Sequence, residues 1–156
     1  MVVIAIIAIL AIVVALTLNP IELLRQSRDS NRVSDMATLA TAINLYNTDQ
    51  SGAAGYSLGA ANTIYVSIPD PMASTTAGDQ CQGLGLESLP ATYTYHCAES
   101  STFKNADGTG WIPVNFKSIS SGVPISNLPV DPTNTSSTRL YYTYTTNGTQ
   151  YEVTAV

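Results

Sequence analysis

The sequence predicts an α+β protein, with a long N-terminal helix and a small antiparallel β-sheet head packed on the helix's C-terminal half. Three observations predict it. Residues 1–18 carry no charge, and the following thirty residues keep a helical period. Residues 49–156 turn to Gly, Pro, Ser, Thr, Asn and Tyr, with strand-like runs between turn signals. At 156 residues the chain has room for one ordinary domain beyond its opening segment. The expected divisions are residues 1–20, 21–48 and 49–156.

The opening "MVVIAIIAILAIVVALTLNP" is too long for the ~7–15-residue apolar stretch of a signal peptide and lacks its basic flank. As helix, residues 1–18 span about 27 Å, close to the hydrocarbon thickness of a bilayer. Among the large residues Ile4, Ile7, Leu10, Val14 and Leu18, the small Ala5, Ala8, Ala11 and Ala15 recur at three- and four-residue steps. Such spacing lets helix backbones approach closely. Pro20 removes an intrahelical hydrogen bond and clashes with the preceding turn, so a kink or locally melted stretch is expected at Asn19-Pro20.

No Gly/Ser linker follows. Glu22, Arg25, Asp29, Arg32 and Asp35 alternate in sign at three- and four-residue steps, each exposed pair adding a few tenths of a kcal/mol to the helix. From Val33 onward Met36, Leu39, Ala40, Ile43 and Tyr46 form an apolar stripe that needs cover. The helix is expected to end near Asn47, where "NTDQSGAAG" supplies capping and loop residues. A helix of some 45 residues is far longer than a head of this size can bury, so lipid or other copies of the same helix must cover the rest.

In the head, "TIYVSI", "ATYTYHC" and "WIPVNF" read as strands, the last confined to an edge by Pro113. The strongest element is "RLYYTYTTNGTQYEVTA". Asn147-Gly148 suits a type I′ turn, and pairing outward from it sets Tyr144 opposite Tyr151, Tyr142 opposite Val153 and Leu140 opposite Ala155. That face should pack on Leu39, Ile43 and Tyr46, while Tyr141, Thr143 and Thr145 lie on the other. Cys81 and Cys97 bracket fifteen residues. Two reduced thiols are one reading; in a membrane-leading, lysine-poor chain the expected one is a disulfide contributing about 3 kcal/mol.

"VVIAIIAILAIVVALTLNP" followed by "IELLRQSRDSNRVSDMATLATAINLY" resembles the N-terminal helix of type IV pilins and pseudopilins. The resemblance covers residues 1–48; beyond Asp49 it is only architectural. It implies the pilin fold and a subunit that sits in the membrane before assembly and packs against copies of itself in a filament core afterwards. The core residues would then be Ile4, Ala5, Ile7, Ala8, Leu10, Ala11, Val14, Ala15 and Leu18. The family's basic leader, processing Gly and "FTLIEL"-like start have no counterpart here, and Glu22 lies too far along to replace the registering Glu. They are expected upstream of Met1. Partners implied by the family are identical subunits, a prepilin peptidase, a platform protein and a motor ATPase.

"LPVDPTNTSSTRLYYTYTTNGTQYE" also resembles the end of type II secretion pseudopilins, where a comparable loop binds calcium. Asp131 is the only acid there before Glu152, too few for calcium, and Asp131-Pro132 reads instead as the turn entering the hairpin. Asn134 and Asn147 match the N-glycosylation pattern; the turn already accounts for Asn147, which leaves Asn134 as the candidate.

The formal charge of −5 lies wholly on residues 49–156, eight acids against Lys104, Lys117 and Arg139, a balance that disfavours phosphate and nucleic acid. His96 is the single histidine and no GxSxG, HExxH or phosphate-binding loop exists, so no catalytic site, cofactor or zinc is expected. The functional expectation is the major subunit of a helical filament on the cell surface, serving adhesion, motility or DNA uptake. A secretion pseudopilin or minor pilin is the alternative. From another class comes a monomeric membrane-anchored domain binding carbohydrate through Trp111 and the tyrosines.

Overall fold

The computed structural model describes residues 2–17, 20–70, 81 and 83–156, with backbone only for residues 15–17. Helix α1 runs Val2–Thr17 and helix α2 runs Pro20–Gln50. Pro20 opens α2, where its missing N–H is no loss. Asn19 and Leu18, and with them the expected break itself, lie outside the described residues. Helix α2 passes the expected end at Asn47 because the head caps it. The Asp49 carboxylate accepts hydrogen bonds from the backbone N–H and hydroxyl of Ser120, and the Gln50 side chain donates to Ser118 O at 2.9 Å.

Four strands follow: β1 (Thr63–Asp70), β2 (Thr94–Glu99), β3 (Tyr142–Thr146) and β4 (Tyr151–Ala155), in the spatial order β2-β1-β3-β4. The sheet is mixed. Strand β1 pairs antiparallel with β3, and β3 with β4, but β1 runs parallel to β2. This corrects the expected all-antiparallel sheet. Parallel neighbours require a long return connection, and residues 71–93 supply it.

The β3–β4 hairpin also corrects the expected register. Tyr144 lies opposite Val153, Tyr142 opposite Ala155 and Thr146 opposite Tyr151, a shift of two residues. A type I′ turn needs positive φ at both central residues, and only Gly148 has it, at 92°. Asn147 instead spends its side-chain oxygen on the backbone N–H groups of Thr149 and Gln150, at 3.0 and 2.7 Å, which closes a wider loop over residues 147–150. Because the shift is even, every side chain keeps its face. Leu140 does not join the hairpin; it bridges to Thr135 just before β3.

"WIPVNF" forms no strand. Trp111, Ile112, Val114 and Phe116 are all fully buried, but the segment makes only an Asp107–Asn115 bridge before a 3₁₀ turn at Phe116–Ser118. Pro113 cannot donate to a ladder, which keeps the segment a loop. Gly110 permits its close packing, since a Cβ there would lie 2.1 Å from Asn105 O.

Both faces of the sheet carry a buried cluster. On the inner face Tyr142 and Tyr144 pack with Leu39, Ala42, Ile43 and Tyr46 of α2, together with Leu58, Trp111 and Phe116. The spacing of the helical residues is one amphipathic stripe. The outer face carries a second cluster of Val66, Ile68 and Tyr141 beneath the Cys81–Cys97 disulfide, with Leu84 and Leu86 alongside. Past Val66, where the β1–β3 pairing ends, the Ser67 side chain takes over. Its hydroxyl accepts from Tyr142 N–H at 2.9 Å and donates to Asn134 Oδ1 at 2.7 Å.

The disulfide joins Cys81 to Cys97 of β2 within the outer cluster. A Cys97→Ser substitution, or reduction, is expected to lower head stability by about 3 kcal/mol, from the loop closure lost. Chemical denaturation with and without reductant measures this; equal midpoints would show that the cluster holds the connection unaided.

Candidate functional site

Helix α1 is apolar around its whole circumference, with Thr17 its single polar residue. Val2, Val3, Ile4, Ile6, Ile7, Ile9, Leu10 and Ile12 each keep more than half of their surface exposed. Ala5, Ala8, Ala11 and Val14 are exposed with them; the side chain of Ala15 and the whole of Leu18 lie outside the described residues. Exposure continues along α2 through Ile21, Leu23, Leu24 and Val33, and ends only where the head's stripe begins near Met36. Exposed apolar surface on this scale marks an interaction site, because a soluble monomer exposes patches of only a few hundred Å². Among the described residues no helix is long and apolar enough to cross a membrane.

The same helix is bolted to the head by polar contacts along its flank. Asp131 has a fully buried side chain and meets Arg32 Nε at 2.5 Å, with Arg32 itself only 17% exposed. Backbone N–H groups of Thr133 and Asn134 also donate to the Asp131 carboxylate, at 2.7 and 3.2 Å. Burial pushes its pKa up, but the Arg32 hydrogen bond and these N–H groups outweigh that and hold it below the usual carboxylate range. Arg32 also reaches Asp29 at 2.6 Å, so the helix pair supports the buried one. One turn on, Tyr142 donates its hydroxyl to Asp35 at 2.8 Å; burial, then this bond, raises the phenol's pKa. Tyr151 donates to Ala40 O and Asn44 Oδ1 at 3.2 and 2.9 Å. Three residues of the sequence-derived charge ladder, Asp29, Arg32 and Asp35, thus do more than favour helix.

The remaining candidates fall in separate places. Cys81 and Cys97 are joined. Leu39, Ile43, Tyr46, Tyr142 and Tyr144 meet in the inner core, with Tyr151 and Val153 packed against it. Leu140 is apart from them, as described. Asn134 adopts φ 45°, and its amide nitrogen donates to Ser67 O at 3.1 Å, so the nitrogen a glycan would use has a structural bond. Trp111 is fully buried and its indole N–H donates to Pro129 O at 3.1 Å, which removes it as a surface for carbohydrate. His96 lies edge-on to Tyr65, and burial lowers its pKa against the opposing pull of Asp70. Among the described residues no three acidic, histidine or cysteine side chains cluster to hold a metal.

The long-range partners of Arg32 and Asp35 left no local signal in the sequence. The one hint is Asp131 itself, an acid in an Arg- and Lys-poor stretch followed by a proline turn. The chain matches no protein-family model, no curated protein and no solved structure.

Asp131→Asn is expected to destabilise the head–helix junction by about 2 kcal/mol, the scale of a hydrogen bond to a charged group. Because the folded-state pKa of Asp131 is depressed, its contribution is present above the ordinary value of 3.8 and is lost as pH falls through the lower folded value. Thermal melts should therefore separate wild type from variant at neutral pH and converge in strong acid. A gap that persists unchanged into strong acid would count against the ion pair as its source.

Proposed function

We propose that this chain is the repeating structural subunit of a helical surface filament of the type IV pilin kind. The observation that carries the reading is α1, an uncharged sixteen-residue helix whose large side chains are more than half exposed from Val2 to Ile12. Each Val, Leu or Ile buried between copies would contribute about 1.5–3 kcal/mol, and Ala5, Ala8 and Ala11 allow close backbone approach. A helix that protrudes from one copy and packs among others makes a heterologous contact. When such a contact does not close into a ring it grows a filament.

Before assembly the apolar helix is held by the cytoplasmic membrane, with the head outside; assembly moves it from lipid to a protein core. The machinery for that transfer is the family's peptidase, platform protein and motor ATPase. The heads, with a net charge of −5 on residues 49–156, form the filament's outer surface.

Ile7→Asp is expected to abolish filaments seen by electron microscopy of sheared surface material, since an unpaired carboxylate in a helical core is costly. Near-UV circular dichroism of the head should stay unchanged, separating lost assembly from lost folding. Normal filaments from this variant would refute the assignment of α1 to the core.

A further inference from the structure

We propose that the cleft at one end of the sheet, between the starts of β1 and β2 and the β3–β4 loop, binds a neutral saccharide. The cleft has a volume of about 450 Å³ and is lined by Asn62, Tyr93, Thr145, Gln150 and Glu152, among others. That volume is within the ~300–1,000 Å³ range of small-molecule sites.

The lining chemistry selects the ligand class. Tyr93 leaves 42% of its surface exposed beside the cleft, an aromatic plate for the apolar C–H face of a sugar ring. Around it stand an amide, a hydroxyl and a carboxylate, from Asn62, Thr145 and Glu152, none of them engaged in a hydrogen bond among the described residues. Gln150 uses only its side-chain oxygen, accepting from Asn147 at 3.4 Å, which leaves its N–H₂ free to donate. A ligand that both donates and accepts at several points satisfies such a set, as a ring of hydroxyl groups does. Anions do not fit, because the lining holds Glu152 and no cation.

The groups are also held in place. Asn62 occupies the left-handed region at φ 59°, fixed where its carbonyl accepts from Thr94 N–H at 3.1 Å. The facing loop is tied by Thr146, whose hydroxyl donates to Gln150 O at 2.7 Å. Rigid donors and acceptors lower the ordering cost of binding. A second cleft of about 340 Å³ shares Thr145 and Glu152 and continues over the outer sheet face past Tyr95 and Thr154, room for a second sugar unit.

The test is saturation-transfer NMR on the full chain in a sugar-free detergent, with the methyl glycosides of glucose, galactose, mannose and N-acetylglucosamine and their β1,4-linked disaccharides as probes. At least one probe should receive saturation, as a Kd on the order of 1 mM allows. The signal should fall several-fold in Tyr93→Ala and in the shape-conserving Thr145→Val, and stay unchanged in Lys104→Gln, outside the cleft. No transfer to any probe, or transfer unchanged in either cleft variant, overturns the proposal.

Discussion

The contact between the second half of α2 and the inner face of β3 and β4 is the junction on which the rest of the molecule depends. Leu39, Ala42, Ile43 and Tyr46 are the helix residues that the head buries, and they meet Tyr142 and Tyr144 with Trp111 and Phe116 behind. N-terminal to Met36 the large apolar residues Val2, Val3, Ile4, Ile6, Ile7, Ile9, Leu10, Ile12, Val13, Val14, Ile21, Leu23, Leu24 and Val33 are exposed, and the head touches the helix there through Arg32 and Asp35. The head is thus sized to hold a helix rather than to cover it. A purely apolar junction would tolerate sliding along the helix axis by a turn. Directional bonds resist that, and three tyrosine or carboxylate groups of the head bind set helix positions: Asp131 at Arg32, Tyr142 at Asp35, and Tyr151 at both Ala40 and Asn44. On the proposed reading this fixes where each head sits along a polymer built from the helices.

A second constraint acts on the opposite face of the sheet. A strand parallel to β1 requires the chain to return before β2, and of the residues between them Cys81, Leu84 and Leu86 pack with Val66, Ile68 and Tyr141. The disulfide ties Cys81 to β2 at Cys97. The inner face of the sheet is therefore covered by the helix, and the upper part of its outer face by the disulfide with Leu84 and Leu86. The end with the β3–β4 loop and the lower part of the outer face are open, and there the polar groups of Asn62, Thr145 and Glu152 gather.

What the sequence disclosed follows from the range of the forces involved. The helix, its stripe at Leu39, Ile43 and Tyr46, and the alternation that put Tyr142 and Tyr144 on one face are local periodicities, readable without a partner. The hairpin existed where Asn147-Gly148 placed it, yet the pairing moved by two residues because one side chain, Asn147, made a better turn with Thr149 and Gln150 than a two-residue loop allows. Strand direction was invisible in β2, since "TYHCAE" reads the same in either sense. The length of residues 71–93 was the available clue to a parallel neighbour. "WIPVNF" has strand-like composition for a different reason: it is core filler, buried as loop. The Arg32–Asp131 pair joins residues 99 apart in sequence, where no spacing rule operates.

The central claim is that α1 finishes its burial against copies of itself. Helical reconstruction by electron cryomicroscopy of filaments sheared from cells addresses it directly. The account predicts α1 helices of neighbouring copies along the filament axis, at the about 8–10 Å separation of packed helices, with heads outermost. Filaments with α1 helices apart from one another, or with heads at the axis and α1 outside, would contradict it.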